Sequence, residues 1–106
     1  MTTVLCQLGE RITSEVAAAF PDVTVRSIGS GAALEHDAAG EVLLTSHFFA
    51  QDLPALVDRG VTWVHNFGTG VDQFPMDLLG PDQTLTCSRG AGAGPISEWV
   101  ITQMLA

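Results

Sequence analysis

The 106-residue chain sets twelve acids against four arginines and has no lysine, for a formal net charge of -8. Such a surface repels polyanions, and the missing lysine removes a P-loop and a Schiff-base site, so nucleic acid is excluded as a partner. Hydrophobic residues at 46% and charged residues at 15% suit one folded domain, and no apolar run reaches the roughly 18 residues of a membrane span.

In chain order, Thr3 to Leu8 reads as an apolar strand. Ile12, Val16, Ala19 and Phe20 then recur at helical spacing up to Pro21. Val23 to Ile28 is β-branched enough for a second strand, and Gly29 to Gly40 is a small polar segment with a weak helical turn. Glu41 to Thr45 is a third strand whose continuous Val42-Leu43-Leu44 suits an inner parallel position. Asp52 to Asp58 is a helix closed by Gly60, Val61 to Phe67 a fourth strand, Pro75 to Leu79 a short helix and Thr84 to Cys87 a fifth strand. Pro95 stands in the first turn of a last helix over Ile96 to Ala106, which is expected to lead towards a further domain.

Strands alternating with helices predict an α/β fold, an open parallel five-stranded sheet in the order 2-1-3-4-5 with helices on both faces. Ligands in such sheets sit beyond the carboxyl ends of the strands, which here are Gly9, Ile28, Ser46, Gly68 and Ser88. Cys6 and Cys87 lie far apart and read as reduced apolar residues of a cytoplasmic protein. His36, His47 and His65 form no short ligand pair with each other or with the cysteines, so no metal site is expected.

Two runs carry the chemistry. Trp63-Val-His-Asn-Phe-Gly-Thr-Gly-Val-Asp72 reads as a strand emptying into a glycine turn whose amides can converge on an anion, with Gly68 and Gly70 supplying conformational freedom. Cys87-Ser-Arg-Gly-Ala-Gly-Ala-Gly-Pro-Ile-Ser-Glu-Trp99 reads as a compliant loop feeding a helix.

Both runs, in this order, resemble the N-terminal substrate-binding domain of the NAD(P)-dependent D-isomer-specific 2-hydroxyacid dehydrogenases, which is flavodoxin-like in fold. The likeness is strong over Val61 to Ala106 and weaker upstream, where only the element rhythm and Leu43-Leu44-Thr45-Ser46 agree. It implies that the main-chain amides of Thr69, Gly70 and Val71 hold a substrate carboxylate, with Ser46 and His47 facing the same cleft. Gly68, Asp72, Arg89 and Glu98 become supporting residues: Asp72 accepts amides of the following turn, Arg89 fixes its loop and adds cleft electrostatics, and Glu98 sits in the first turn of a helix anchored by Trp99. The chain departs from the family pattern at Pro75, often acidic there, and before Ser46, where it lacks an arginine.

The resemblance further implies residues 1–93 as the substrate domain and 94–106 as the start of the helix crossing to an NAD(P)-binding domain. The catalytic arginine, acid and histidine would lie in that other domain, Arg89 not being among them, so this chain alone is expected to be inactive. The implied parent is a homodimeric oxidoreductase interconverting D-2-hydroxy acids and 2-keto acids with NAD or NADP. No cofactor-binding residue is expected here, because Gly90-Ala-Gly-Ala-Gly94 lacks the Gly-x-Gly-x-x-Gly spacing and does not follow a first strand. The alternative is a free-standing flavodoxin-like ligand-binding or interaction module without enzymatic activity.

Overall fold

Short apolar segments separated by glycine and proline punctuation give eight regular elements in the computed structural model, which describes residues 1–106. These are β1 (Thr3–Cys6), α1 (Glu10–Ala19), β2 (Thr24–Ser27), β3 (Val42–Thr45), α2 (Leu53–Asp58), β4 (Trp63–Asn66), β5 (Thr84–Cys87) and α3 (Ala93–Leu105). Single 3-10 turns lie at Gly31–Ala33 and Met76–Leu78, and a longer 3-10 segment, His47–Asp52, runs into α2. The strands form one sheet ordered β2-β1-β3-β4-β5, all neighbours parallel, as the alternation predicts.

The register aligns Leu5, Leu43, Val64 and Leu85 across four strands, so they share one sheet face. Leu5, Leu43 and Val64 join Leu53 and Leu56 of α2, with Val61 and Phe74, in the main core. The opposite face carries Val4, Val42, Leu44 and Trp63, which line an apolar groove of about 210 Å³ with Val16 of α1 and Phe20 just after it. Helix α1 covers only part of this face, and Trp63 stays 47% exposed. Its indole Nε1 donates to Thr86 Oγ1 at 2.8 Å, and the His65 ring nitrogens meet Thr86 Oγ1 at 2.8 Å and Ser88 Oγ at 3.2 Å. Both nitrogens of His65 are therefore spent on the sheet.

Differences from the sequence-based elements sit at their ends. The segment before α2 is helical from His47, because the Ser46 side chain accepts from the Phe48 amide at 3.3 Å and starts the 3-10 run early. Pro75 to Leu79 yields one 3-10 turn only, since Gly80 and Pro81 follow at once. Helix α3 begins at Ala93, with Ile96 N donating to Gly92 O at 3.0 Å, which puts Pro95 at its third residue and Glu98 beyond its first turn. The expected charge–dipole placement of Glu98 is thereby corrected. Trp99 anchors nothing: all of α3 is exposed, Ile96, Trp99, Met104 and Leu105 included. The helix projects from the sheet and draws the molecule out to 52 Å, against 32 and 26 Å in the other directions.

No helix is long and apolar enough to cross a membrane. Cys6 is buried and Cys87 half-buried, both as free thiols.

Candidate functional site

The carboxyl ends of the strands divide into two halves. At the ends of β1, β2 and β3, polar groups are tied to one another. Thr45 Oγ1 donates to Gln7 Oε1 at 2.7 Å, and Gln7 Nε2 donates to Asp52 Oδ2 at 2.8 Å and to Gly29 O at 3.1 Å. Asp52, 5% exposed, also accepts the Gly31 amide on Oδ1 at 3.0 Å and on Oδ2 at 3.2 Å. The loop leaving β2 is held further by the Gly29 amide on Glu35 Oε2 at 3.1 Å and by Arg59 Nη1 on the Glu35 carbonyl at 2.9 Å.

Arg26 donates to Asp37 Oδ1 at 2.8 Å across the same loop. That hydrogen bond, with the Arg26 charge, holds the Asp37 carboxyl below its usual range and raises Arg26 in turn. The backbone amides of Glu35 and Gly29 hold the Glu35 carboxyl below its usual range.

At the ends of β4 and β5 the pattern reverses. The Phe67 amide reaches Thr45 O at 2.7 Å and the Phe74 amide reaches Val71 O at 3.0 Å, but every amide from Gly68 to Gln73 lacks a protein acceptor. Backbone donors left unpaired in succession are available to an anion where the turn aims them at one point. Three bonds hold it: Asn66 Nδ2 donates to Gly70 O at 2.9 Å, Ser88 N donates to Gly68 O at 2.7 Å, and Cys87 Sγ contacts Thr69 O at 3.8 Å.

The glycine that the turn requires is Gly68, at φ +135. Gly70 has no such backbone, and a Cβ built there would lie 3.1 Å from Asp72 Oδ1. Gly68 therefore shapes the turn, while Gly70 keeps its surface bare. Asp72 accepts no hydrogen bond and is exposed, so it does not fix the following turn as the sequence suggested. Asn66 does that instead. It is 2% exposed, and its Oδ1 has no partner, a buried deficit retained at the residue that fastens the loop.

A cleft of about 410 Å³ opens beside this turn, lined by Gly68, Thr69, Gly70 and Asp72 together with His47 and Phe48 from the end of β3. The structure thus brings Thr69, Gly70 and His47 together. Val71 and Arg89 line a second hollow on the other side of the turn, about 400 Å³, with Thr69, Gly70, Asp72 and Cys87. Ser46 is buried, with its hydroxyl used on Phe48, and borders only the neighbouring hollow next to Gln7 and Gly9. Glu98 is on α3 and borders none of these hollows.

Arg89 makes no hydrogen bond or ion pair, so it does not fix its loop. The loop is fixed by its own backbone, Ala91 N to Ser88 O at 3.0 Å and Ala93 N to Gly90 O at 3.2 Å, with Gly90 at φ +84. Arg11 pairs with Glu15, Arg26 with Asp37, and Arg59 with two carbonyls, which leaves Arg89 as the one uncommitted guanidinium. It lies beside the uncommitted amides.

Asn66 and the aromatic wall formed by Phe48 and Phe67 were not singled out from the sequence. An amide side chain closing an otherwise apolar strand was the available signal for Asn66.

The turn after β1 is the place where a dinucleotide fold carries its glycines. Here it offers one glycine, Gly9 at φ +91, and the first turn of α1 carries Glu10, which opposes a pyrophosphate. No group of three or more histidine, cysteine, aspartate or glutamate side chains is placed to hold a metal ion.

Comparison with family models, with curated proteins and with solved structures finds no match to this chain. The fold is that of a small flavodoxin-like α/β domain, compatible with ligand binding in general. The likeness to 2-hydroxyacid dehydrogenases rests on the two sequence runs alone.

Proposed function

We propose that this domain binds a small carboxylate through the amides of Gly68 to Val71. The observation that carries the reading is the uninterrupted run of unpaired amides from Gly68 to Gln73, in a turn that borders two hollows, the second of them shared with the one free arginine. In a chain of net charge -8, an anion needs a local donor surface to approach at all. Thr69, Gly70 and Val71 contribute the donors, Gly68 the turn, Asn66 its anchorage, and Arg89 long-range attraction.

In the finer form of the proposal, the module presents a 2-keto or 2-hydroxy acid to a nicotinamide cofactor held by another domain. The two sequence runs support it. Carboxylate capture would fix the 2-carbon for hydride transfer, while the acid–base groups would come from outside this chain. A free-standing binding module is the second reading, favoured by the fold itself, which supplies a binding edge beyond the strand ends.

Ligand-observed NMR with pyruvate and its uncharged amide as probes tests the shared core of both readings. Pyruvate is expected to bind with a Kd on the order of 1 mM, and pyruvamide at least tenfold more weakly. Equal binding of the two would contradict carboxylate capture. Adding NADH and pyruvate to the isolated chain is expected to give no turnover, and reproducible turnover would contradict the division of labour between domains.

A further inference from the structure

We propose that the carboxylate this site selects carries an aromatic group, held in the cleft that Phe48 and Phe67 line; the inference rests on the carboxylate reading above. Phe48 is 74% exposed and Phe67 58% exposed, in a domain whose Leu5, Leu43, Leu53 and Val64 are almost wholly enclosed. Both phenylalanines line the cleft that Gly68, Thr69 and Gly70 line, and both also line the adjoining hollow of about 510 Å³. Their backbones are held by hydrogen bonds: the Phe67 amide donates to Thr45 O at 2.7 Å, and the Phe48 amide donates to Ser46 Oγ at 3.3 Å. The His47 ring lies against Phe48, centroids 4.1 Å apart and tilted by 35°, which adds a third flat surface to the same wall.

Exposed aromatic side chains rimmed by polar groups mark binding surfaces, and each hollow falls within the roughly 300–1,000 Å³ of small-molecule sites. A ligand whose anionic end meets the turn at Gly68 to Gly70 shares that cleft with Phe48 and Phe67. Flat faces favour a flat partner over an aliphatic one, because ring quadrupoles pair in offset or edge-to-face arrangements. Asp72 borders the amide-lined cleft and weighs against a second anionic group on the ligand. The chemical class is therefore an aryl-substituted monocarboxylate.

Protein-observed NMR titrations of the whole chain with phenylacetate, cyclohexylacetate, acetate and benzyl alcohol test this. Phenylacetate is expected to bind at least tenfold more tightly than acetate and about threefold more tightly than cyclohexylacetate. Phe67→Ala and Phe48→Ala should each remove most of the advantage of phenylacetate over acetate. Both side chains are largely exposed, so neither variant is expected to unfold the domain. Equal affinities for phenylacetate and acetate would overturn the aromatic subsite and leave the carboxylate reading standing. Equal affinities for phenylacetate and cyclohexylacetate would overturn the aromatic assignment specifically. Benzyl alcohol binding as tightly as phenylacetate would overturn the proposal by removing the carboxylate reading beneath it.

Discussion

The two halves of one sheet edge treat their backbone polar groups in opposite ways. Beyond β1 to β3, Gln7, Thr45 and Asp52 bind each other and the Gly31 amide, and Glu35 takes the Gly29 amide. Beyond β4 and β5, the amides from Gly68 to Gln73 are left open while side chains and neighbouring strands hold the carbonyls of Gly68 and Gly70. A closed network contributes stability and offers a ligand nothing. An open run of donors on a fixed frame contributes little stability and offers a ligand everything it needs. Substitutions in the first half should therefore move the unfolding midpoint, and those in the second should move affinity.

The largest effect is expected for Asp52→Ala, which leaves the Gly31 amide without its acceptor and removes one of the two acceptors of Gln7 Nε2. Loss of hydrogen bonds to a buried carboxylate predicts about 2–4 kcal/mol of destabilisation in urea unfolding, with pyruvate affinity of the folded fraction unchanged. A stable Asp52→Ala protein with lost affinity would reverse the assignment of the two halves.

Gly68→Val comes next, because a β-branched residue at φ +135 is strained by about 1–3 kcal/mol and reshapes the turn. Carboxylate affinity should fall at least tenfold. Gly70→Val should also weaken binding, through its Cβ crowding Asp72 Oδ1, with a smaller loss of stability.

Arg89→Ala is expected to weaken pyruvate binding about threefold to fivefold, more at low salt than at high, and to leave stability within about 0.5 kcal/mol. Asp72→Asn should have the smallest effect, a slight gain in affinity from removing a like charge, read in the same titration.

The acid limb of stability sharpens the contrast from the other side. Asp37 and Glu35 have carboxyl pKa values lowered on folding, so their stabilisation is fully present above the unfolded carboxylate range of about pH 4 and is lost as pH falls through the folded values. Urea midpoints should fall as pH drops from about 5 towards 3, and Asp37→Asn should flatten part of that slope.

Much of this edge was legible in the sequence. Apolar runs such as Val42-Leu43-Leu44 and the alternation of strands with helices gave the sheet order, because both follow from burial and chain connection. The glycine turn was legible as a pattern but not in its detail: the Gly68–Gly70 pair does not say which of the two takes the left-handed backbone. Asp72 looked like an internal acceptor because aspartates after tight turns commonly are, yet it accepts no amide, and the turn is fastened instead by Asn66 donating to the Gly70 carbonyl. The network of Gln7, Thr45 and Asp52 joins residues up to 45 positions apart, and only the register of β1 on β3 brings them together. Nothing in the sequence marks Phe48 and Phe67 as exposed, since exposure of an aromatic side chain is decided by what packs around it.

Backbone amide shifts during a pyruvate titration test the central claim most directly. The account predicts saturable, salt-sensitive shifts at Gly68, Thr69, Gly70 and Val71, with Gly29 and Gly31 unmoved because their donors are already committed. Shifts centred on Gly29 and Gly31, or none at Gly68 to Val71 at saturating pyruvate, would contradict it.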